Sequence, residues 1–534
     1  MAKKVAEEEN HAERLAKEQK AISVSQFFER NRHLLGFDNP IKALSTTIKE
    51  LVDNSLDACQ EINILPEIII QIKKNPKEEN RFVIIVEDNG PGIVKEQIPR
   101  VFAKLLYGSK FSKMKQSRGQ QGIGVSASVL YGQLTTGKSS KITSRISPKR
   151  PAHFYELHID ISNNEPEIVQ EKEIEWTNKD HGTKVEIELE GKYQRGKLSV
   201  DEYIKQTAIS NPHANITYIP PDDKPIKYKR VTDVLPKEPL EIKPHPYGVE
   251  IGVMLRMLNQ TKAKTLQQFF TSEFSRVSPN TAKEICDKAN ISVNVKPSTI
   301  IHTQADALFN AIKKVKIMAP PTNCLSPITE EILIKGLKKE IPAEFYTATT
   351  RPPTVYRGMP FQIECAFAYG GELPKEELAK IMRFANRVPL QYMQSACTIT
   401  KGILSTAWKN YGISQSKGAL PAAPLIITVH IASVWVPFTS ESKEAIAHYP
   451  EITKEIKLAL QECGRKLGIY IRRKRKDLEV ERKKSYIIKY IPHVSGALQE
   501  ILELSDKKEQ EIQLLLKKQF ESSKEAEDDN QKEN

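Results

Sequence analysis

Six cysteines are scattered through 534 residues, at Cys59, Cys286, Cys324, Cys365, Cys397 and Cys463, and no two form a C-x-x-C pair. That spacing excludes a zinc knuckle and indicates no disulfide framework, so the six read as reduced core thiols. Long apolar runs are missing as well. The opening "MAKKVAEEENHAERLAKEQKAISV" has no stretch of the signal-peptide kind, and no uninterrupted run approaches the roughly 20 residues needed to span a bilayer. No membrane partner is expected, and the expected location is cytoplasmic. Internal repeats at solenoid periods are absent too. What the chain has in excess is positive charge: Lys and Arg number 80 against 67 Asp and Glu, a formal net charge of +13. A basic balance favours polyanionic partners, nucleic acid among them.

The length predicts about three or four domains. Residues 1–20 are Ala/Glu/Lys-rich and predict a charged helical extension. From there to residue 228, helical patterns alternate with strands such as "EIIIQIKK", "RFVIIVED", "HFYELHID" and "TKVEIELE", an α/β layer domain. The Pro- and Lys-rich "KYKRVTDVLPKEPLEIKPHPY" marks a linker. Capped helical patterns without strands follow and predict a small all-helical domain over 229–310. A second α/β region over 311–470 contains the strands "FQIECAFAYGG" and "PLIITVHIASVWVPF". Charged helices over 471–520 and a disordered tail over 521–534 complete the expectation.

Four short stretches carry the chemistry. In "KELVDNSLDACQ", Glu50, Asn54 and Asp57 share one face of a helix whose other stripe is Leu44, Ile48, Leu51 and Ser55. Taken alone this is either a solvated face or a reaction centre. In "RFVIIVEDNGPGI" an apolar strand ends at Asp88 before Gly90 and Gly92. This is a turn, or a carboxylate placed for an adenine amino group beside a glycine that lets a planar ring approach. In "SRGQQGIGVSASVLYGQL", Gly119, Gly122 and Gly124 lead into a helix at Val125, converging free N–H groups suited to phosphate, although such turns also serve packing. The loop is neither a Walker A sequence nor the dinucleotide G-x-G-x-x-G. Thr183, in "DHGTKVEIELE", stands at the head of a strand and could reach a site at the strand end.

Together, and in this order, these stretches resemble the motifs of the GHKL ATPase superfamily, which includes gyrase, the heat-shock-protein-90 chaperones, the MutL mismatch-repair proteins and the sensor histidine kinases. E-x-x-x-N-x-x-D-A falls on Glu50, Asn54, Asp57 and Ala58; D-x-G-x-G on Asp88, Gly90 and Gly92; G-x-x-G-x-G on Gly119, Gly122 and Gly124; and the G-T pair on Gly182 and Thr183. The resemblance implies that Glu50 is the general base for water, that Asn54 holds Mg²⁺, and that Asp88 and Thr183 receive the adenine. It further implies a nucleotide-binding set of Gly92, Ser109, Lys110, Gly119, Gln120, Gln121, Gly122, Ile123, Gly124 and Val125, with the turn 119 to 124 wrapping the phosphates as a lid. The cofactors it implies are ATP and Mg²⁺.

A narrower resemblance covers residues 22 to 520. "SVSQFFERNRHLLGFDNP", "LLYGSKF", "TRPPTVYRGMPFQIECAFAYGG", "AWKNYGISQ" and "VHIASVWVPFTSESKEAIA" are similar to the B subunits of type IIB topoisomerases, the topoisomerase VI family. This implies a GHKL (Bergerat) ATPase sandwich, a helix-two-turn-helix domain, a ribosomal S5-like transducer and a long C-terminal helix docking on the family's A subunit. The implied partners are the topoisomerase VI A subunit itself, double-stranded DNA, and a second copy of this chain bound in an ATP-dependent dimer, with a place at the nucleoid. A transducer lysine is implied at the γ-phosphate, with Lys409 in "WKNY" the first candidate and Lys417 the second. Lys192, Arg195 and Lys197 in "KYQRGKLS" resemble a DNA-contacting loop, although Arg-Gly-Lys stands where relatives often carry a longer basic run. Arg472, Arg473, Lys474 and Arg475 predict sequence-independent phosphate contact. The apolar stripes Ile512, Leu515, Leu516 and Phe520, and Ile501 with Leu504, need a partner, for which the A subunit is expected. A chaperone or mismatch-repair clamp and a non-catalytic scaffold are the alternatives. The helical domain and "AWKNYGISQ" disfavour the former, and the intact Glu50 and Asn54 the latter. A sensor kinase lacks its phospho-accepting histidine helix.

Overall fold

The computed structural model describes residues 11–109, 113–119, 122–177, 179–503 and 505–532. Lys110, Gln120, Gln121 and Leu504 lie outside the described residues, as do residues 1–10 of the charged extension. The chain divides into two compact units. The larger runs to residue 406 and again from 414 to 463, and the smaller comprises 407–413 and the chain from 464 onward.

An eight-stranded sheet forms the first layer of the larger unit. Its strands are β1 Glu67–Lys74, β2 Arg81–Glu87, β3 Ser140–Arg145, β4 Ala152–Asp160, β5 Glu165–Ile174, β6 Gly182–Glu190, β7 Asn215–Ile219 and β8 Ile226–Tyr228. The spatial order is β5-β4-β3-β6-β2-β1-β7-β8, antiparallel except for the β1–β7 pair. β1, β2, β4 and β6 are the four strands legible in the sequence. β5 is not, because it is an edge strand, Glu-rich and exposed along nearly its whole length, so it lacks the alternation that marks a half-buried strand.

The helices Pro40–Glu61, Gly124–Thr136 and Val200–Ser210 pack together over the sheet. The first begins where Asn39 accepts a hydrogen bond from the Lys42 amide at 2.9 Å, with Pro40 at the first helical position, where its missing N–H costs nothing. Leu44, Ile48, Leu51, Val52 and Leu56 face the core, each no more than 3% exposed. Because that stripe fixes the helix's rotation, it also fixes which side chains face away from the sheet.

Residues 249–317 form the all-helical domain, with helices Ile251–Gln260, Leu266–Glu273, Pro279–Lys288 and His302–Lys314. It has its own core around Phe269, Phe270 and Phe274, whose rings lie 5.2 to 5.8 Å apart. A second sheet follows, built from β9 Phe345–Thr350, β10 Thr354–Tyr356, β11 Met359–Tyr369, β12 Lys380–Ala385, β13 Val388–Pro389 and β16 Leu425–Ser433; β14 Ser414–Gln415 and β15 Pro421–Ala422 make a separate small hairpin. The order is β10-β11-β16-β12-β13, with β9 also paired to β11. β16 is buried at every position, which is why it reads as a continuous apolar run.

The helix Pro450–Ile501 spans 52 residues and passes from the larger unit into the smaller. Within the smaller unit the turn Trp408–Tyr411 lies against it: Arg475 donates to the Gly412 carbonyl at 2.9 Å, and a side chain at Gly464 would collide with the Tyr411 ring. The last helix, Asp506–Lys532, continues through residues expected to form a disordered tail. All six cysteines are free and buried. Among the described residues no helix is long and apolar enough to cross a membrane.

Candidate functional site

A cavity of about 540 Å³ opens between the helix Pro40–Glu61, the ends of β2 and β6, and the segments flanking the helix Gly124–Thr136. Glu50, Asn54, Asp88, Gly92, Ser109, Gly119, Gly122, Ile123, Gly124, Val125 and Thr183 all line it. The polar face of "KELVDNSLDACQ" is therefore split. Glu50 and Asn54 face the cavity, whereas Asp57 turns from it to the buried Arg118 guanidinium at 2.7 Å.

At one end Asp88 is buried beneath a ring of donors. One carboxylate oxygen accepts from the Gly90 amide at 2.9 Å and the Thr183 amide at 3.1 Å, and the other from the Ser55 hydroxyl at 2.8 Å. Burial raises the Asp88 carboxyl and the three donors oppose it, with a net upward shift. A carboxylate offers about four acceptor positions, so one remains, on the oxygen that Ser55 holds. That suits the exocyclic amino group of a purine. Thr183 is braced by Ser144, hydroxyl to hydroxyl, at 3.0 Å. Gly92, at φ +72°, lies so close to the Arg145 carbonyl that any β-carbon would overlap it, which keeps this wall thin and flat.

At the other end the helix Gly124–Thr136 starts at Ile123 with no side-chain cap and no acidic residue in its first turn. Its unsatisfied N–H groups and positive end form an anion site. Glu50 approaches this terminus so closely that a β-carbon on Gly124 would strike its carboxylate. A glycine there leaves room for the Glu50 carboxylate at the start of the helix.

Glu50 pairs with Lys49 at 3.0 Å. Burial alone would raise its carboxyl, but Lys49 and then Lys443 outweigh that and hold it below the ordinary glutamate value. It is a carboxylate at neutral pH, as a base must be.

Lys443 is the cation that inspection of the sequence missed. It lines the cavity, has a left-handed backbone at φ +54°, and forms no ion pair within 4.0 Å among the described residues. Burial holds its ammonium below the ordinary lysine value although Glu50 pulls the other way. Its loop is fastened by the next residue: Glu444 pairs with Lys42, on the first turn of the site helix, at 2.5 Å. Lys409 and Lys417, the expected lysines, are both exposed and do not line the cavity. Their places in the chain account for this. Lys409 sits on a turn packed against the long helix of the smaller unit, and Lys417 on the tip of the β14–β15 hairpin, whereas the loop after β16 brings its lysine to Glu50.

Asp53 is buried on the same helix, with the Tyr203 hydroxyl donating to it at 3.2 Å. Burial pushes its carboxyl up to about 7, with Lys49 opposing and Glu50 adding to the rise. Between the ordinary aspartate value and about 7 the folded chain keeps a proton that the unfolded chain has released. Stability therefore falls as pH rises through that window and stays lowered above it. Asp53→Asn removes this cost. Its midpoint of thermal unfolding is expected to exceed that of the wild type at pH 8, by the equivalent of up to about 4 kcal/mol, with a smaller gain at pH 5; equal gains at the two pH values would contradict the assignment.

The basic candidates lie elsewhere. Lys192, Arg195 and Lys197 are exposed after β6, and Arg195 pairs with Asp223 at 2.9 Å on the surface. Arg472, Arg473 and Arg475 are exposed on the long helix. Ile501, Leu514 and Leu515 are each more than half exposed. Among the described residues no cluster of three or more His, Cys, Asp or Glu could hold a metal.

Comparison with known proteins identifies the family. The family model described as histidine kinase-, DNA gyrase B- and HSP90-like ATPase matches residues 42–183, and the one described as topoisomerase VI B subunit, transducer, matches residues 320–483. The B subunit of type 2 DNA topoisomerase 6 from Methanococcoides burtonii is 51% identical over 494 residues, which are 92% of this chain and 79% of the relative. The protein of the same description from Archaeoglobus fulgidus is 48% identical over 483 residues, 90% of this chain and 79% of the relative. That from Pyrococcus furiosus is 37% identical over 532 residues, 91% of this chain and 92% of the relative. A chain that joins this nucleotide cavity to this transducer, at such identity over nine-tenths of its length, belongs to the family of topoisomerase VI B subunits.

Proposed function

We propose that this chain is the ATP-binding and ATP-hydrolysing subunit of a type IIB DNA topoisomerase. ATP drives two copies to dimerise around a DNA duplex, and that duplex passes through a double-strand break made by the A subunit, relaxing supercoils and separating linked DNA. The observation that carries this is the single cavity in which a purine acceptor, an uncapped helix end, a carboxylate base and a transducer lysine meet.

Each residue's work follows from its place. The free acceptor position on Asp88 takes the purine amino group, and Gly92 lets the ring lie flat against the wall. The start of the helix Gly124–Thr136, with Gly119 and Gly122, receives the phosphates, and Lys443 neutralises the terminal one. Glu50 orients and deprotonates the attacking water. Asn54 is an exposed carboxamide among buried neighbours, its oxygen beside Gly119, and would hold Mg²⁺ through that oxygen. When bound, that ion supplies charge neutralisation on the triphosphate. The exposed Lys192, Arg195 and Lys197 contact DNA phosphates, and the apolar faces at Ile501 and Leu515 dock on the A subunit. Nucleotide can close such a clamp only by binding the closed state more tightly than the open one.

The test is reconstitution. Mixed with its A subunit, ATP and Mg²⁺, the chain is expected to relax supercoiled plasmid and to do nothing when ATP is omitted. Absence of relaxation in a mixture whose complex is verified by size would favour a non-catalytic scaffold.

A further inference from the structure

The wall of the cavity that starts at Gly92, against the purine, continues along the chain to Ser109, and two of its polar side chains, Gln97 and Tyr107, line the cavity. Gln97 stands five positions after Gly92 and Tyr107 two before Ser109. The short helix Ile98–Ala103 separates them in sequence and packs against the helix Gly124–Thr136, whose start is the anion end. Across it the two side chains meet: the Tyr107 hydroxyl donates to Gln97 Oε1 at 2.5 Å.

Both residues are held from behind. Ile98 and Phe102 are buried in the core of the ATPase domain and fix the short helix that Gln97 precedes. The Gln97 backbone amide donates to the Val94 carbonyl at 2.9 Å. On the other side Leu105 is buried, and its backbone pairs reciprocally with the Asn164 side chain. The Leu105 amide donates to Asn164 Oδ1 at 3.0 Å and Asn164 Nδ2 donates to the Leu105 carbonyl at 3.1 Å. The Ser25 hydroxyl donates to the same Asn164 oxygen at 2.8 Å. Leu106 follows with a left-handed backbone at φ +59° and half of its surface exposed, a conformation that persists only where the surroundings over-determine it. Tyr107, the next residue, is thereby delivered to the cavity from an anchored backbone.

The groups that this pair leaves uncommitted decide its chemistry. A glutamine amide carries two N–H donors, and a phenol oxygen that has donated its proton keeps lone pairs to accept. Among the described residues Gln97 Nε2 donates to no group and the Tyr107 oxygen accepts from none. Both side chains are half-buried, open to a ligand on the cavity side. An uncharged donor and an uncharged acceptor therefore stand side by side. A phosphate has only acceptors and would leave the phenol oxygen unmatched. A vicinal diol has a donor and an acceptor on each oxygen, so one hydroxyl can accept from Gln97 while its neighbour donates to Tyr107.

We propose that Gln97 and Tyr107 form the sugar subsite of the cavity and bind the two ribose hydroxyls, which makes the chain selective for ribonucleotides over deoxyribonucleotides. The proposal rests on the reading of the cavity as an ATP site and places the one part of the nucleotide to which that reading assigns no residue. A purine at Asp88 whose phosphates lie at the start of the helix Gly124–Thr136 has its sugar between the two, along the wall that bears this pair. A site built to hydrogen-bond a hydroxyl rejects the analogue that lacks it, because the site's own polar groups then lose their partner.

The experiment measures the affinity of the full-length chain for ADP, 2′-deoxy-ADP and 3′-deoxy-ADP by calorimetry, alongside thermal unfolding. The wild type is expected to bind ADP about tenfold more tightly than either deoxy analogue, the modest ratio suited to a half-buried neutral pair. Gln97→Met, which keeps the side-chain length without the amide, and Tyr107→Phe, which deletes one oxygen, should each cut that preference to about threefold, and the double variant should bind all three within about twofold of one another. A wild type that binds all three alike would overturn the proposal. So would a folded double variant that keeps the wild-type preference, or one that weakens all three nucleotides equally. If the double variant does not fold, Tyr107→Phe decides: an unchanged preference there overturns the proposal. A wild type that binds none of the three would instead remove the ATP-site reading, and the proposal with it.

Discussion

Glu50→Ala is expected to bind nucleotide as the wild type does and to hydrolyse it about 10²- to 10⁴-fold more slowly, the range a positioned general base contributes. The expectation follows from how Glu50 is held. Its carboxylate touches Lys49 at 3.0 Å and lies against the start of the lid helix, where Gly124 leaves room for it. None of the purine contacts at Asp88 depends on it, so binding and turnover separate. Glu50→Gln keeps the shape and the contact with Lys49 but cannot take a proton, and should match Glu50→Ala in turnover. Single-turnover hydrolysis with separate nucleotide titrations checks both variants; wild-type rates in either would remove Glu50 from the base role.

Lys443→Ala carries the second large effect, a fall of about 10²- to 10³-fold in kcat, as for other donors aimed at charge that develops in the transition state. ADP affinity should change little. Lys443→Gly separates chemistry from backbone. A lysine at φ +54° is strained by on the order of 1 kcal/mol relative to glycine, so Lys443→Gly should unfold at or above the wild-type temperature while being as inactive as Lys443→Ala. Strain at a residue that does chemistry is a common exchange of stability for position. Lys409→Ala and Lys417→Ala should keep wild-type kcat in the isolated chain. If Lys409→Ala loses turnover and Lys443→Ala does not, the assignment of the γ-phosphate lysine reverses.

The site helix and the two glycine loops were legible in the sequence because their chemistry is local. Glu50 and Asn54 are one helical turn apart, Asp88 is four residues from Gly92, and the lid glycines fall within six positions, so spacing alone places them on shared faces and turns. Ser55 and Ser144 were not legible. A serine on the apolar stripe of a helix and one in a polar strand carry no mark of their partners, and only the fold brings them to Asp88 and Thr183. Lys443 lies almost 400 residues from Glu50, in a segment whose family resemblance was evident but whose lysine stood among other polar residues. A left-handed lysine has no sequence signature, and the ion pair that seats its loop joins Lys42 to Glu444 across the whole larger unit. Asp57 matches its motif as Glu50 and Asn54 do, yet its carboxylate pairs with Arg118 and does not line the cavity.

The six buried thiols have a consequence for observing this molecule at work. Cys59 is pushed up to about 12 by burial, and Cys286 and Cys324 to about 11; the thiolate is the reactive species, so all three are slow toward electrophiles as well as shielded. Cys365, Cys397 and Cys463 are shielded in the same way. The folded chain is therefore a nearly blank background for maleimide chemistry. A fluorophore attached through Lys113→Cys, an exposed site just before the lid entry, and a second through Lys417→Cys on its exposed hairpin, can be placed without first stripping out native cysteines. The separation of the two dyes can then be followed in real time as nucleotide is added.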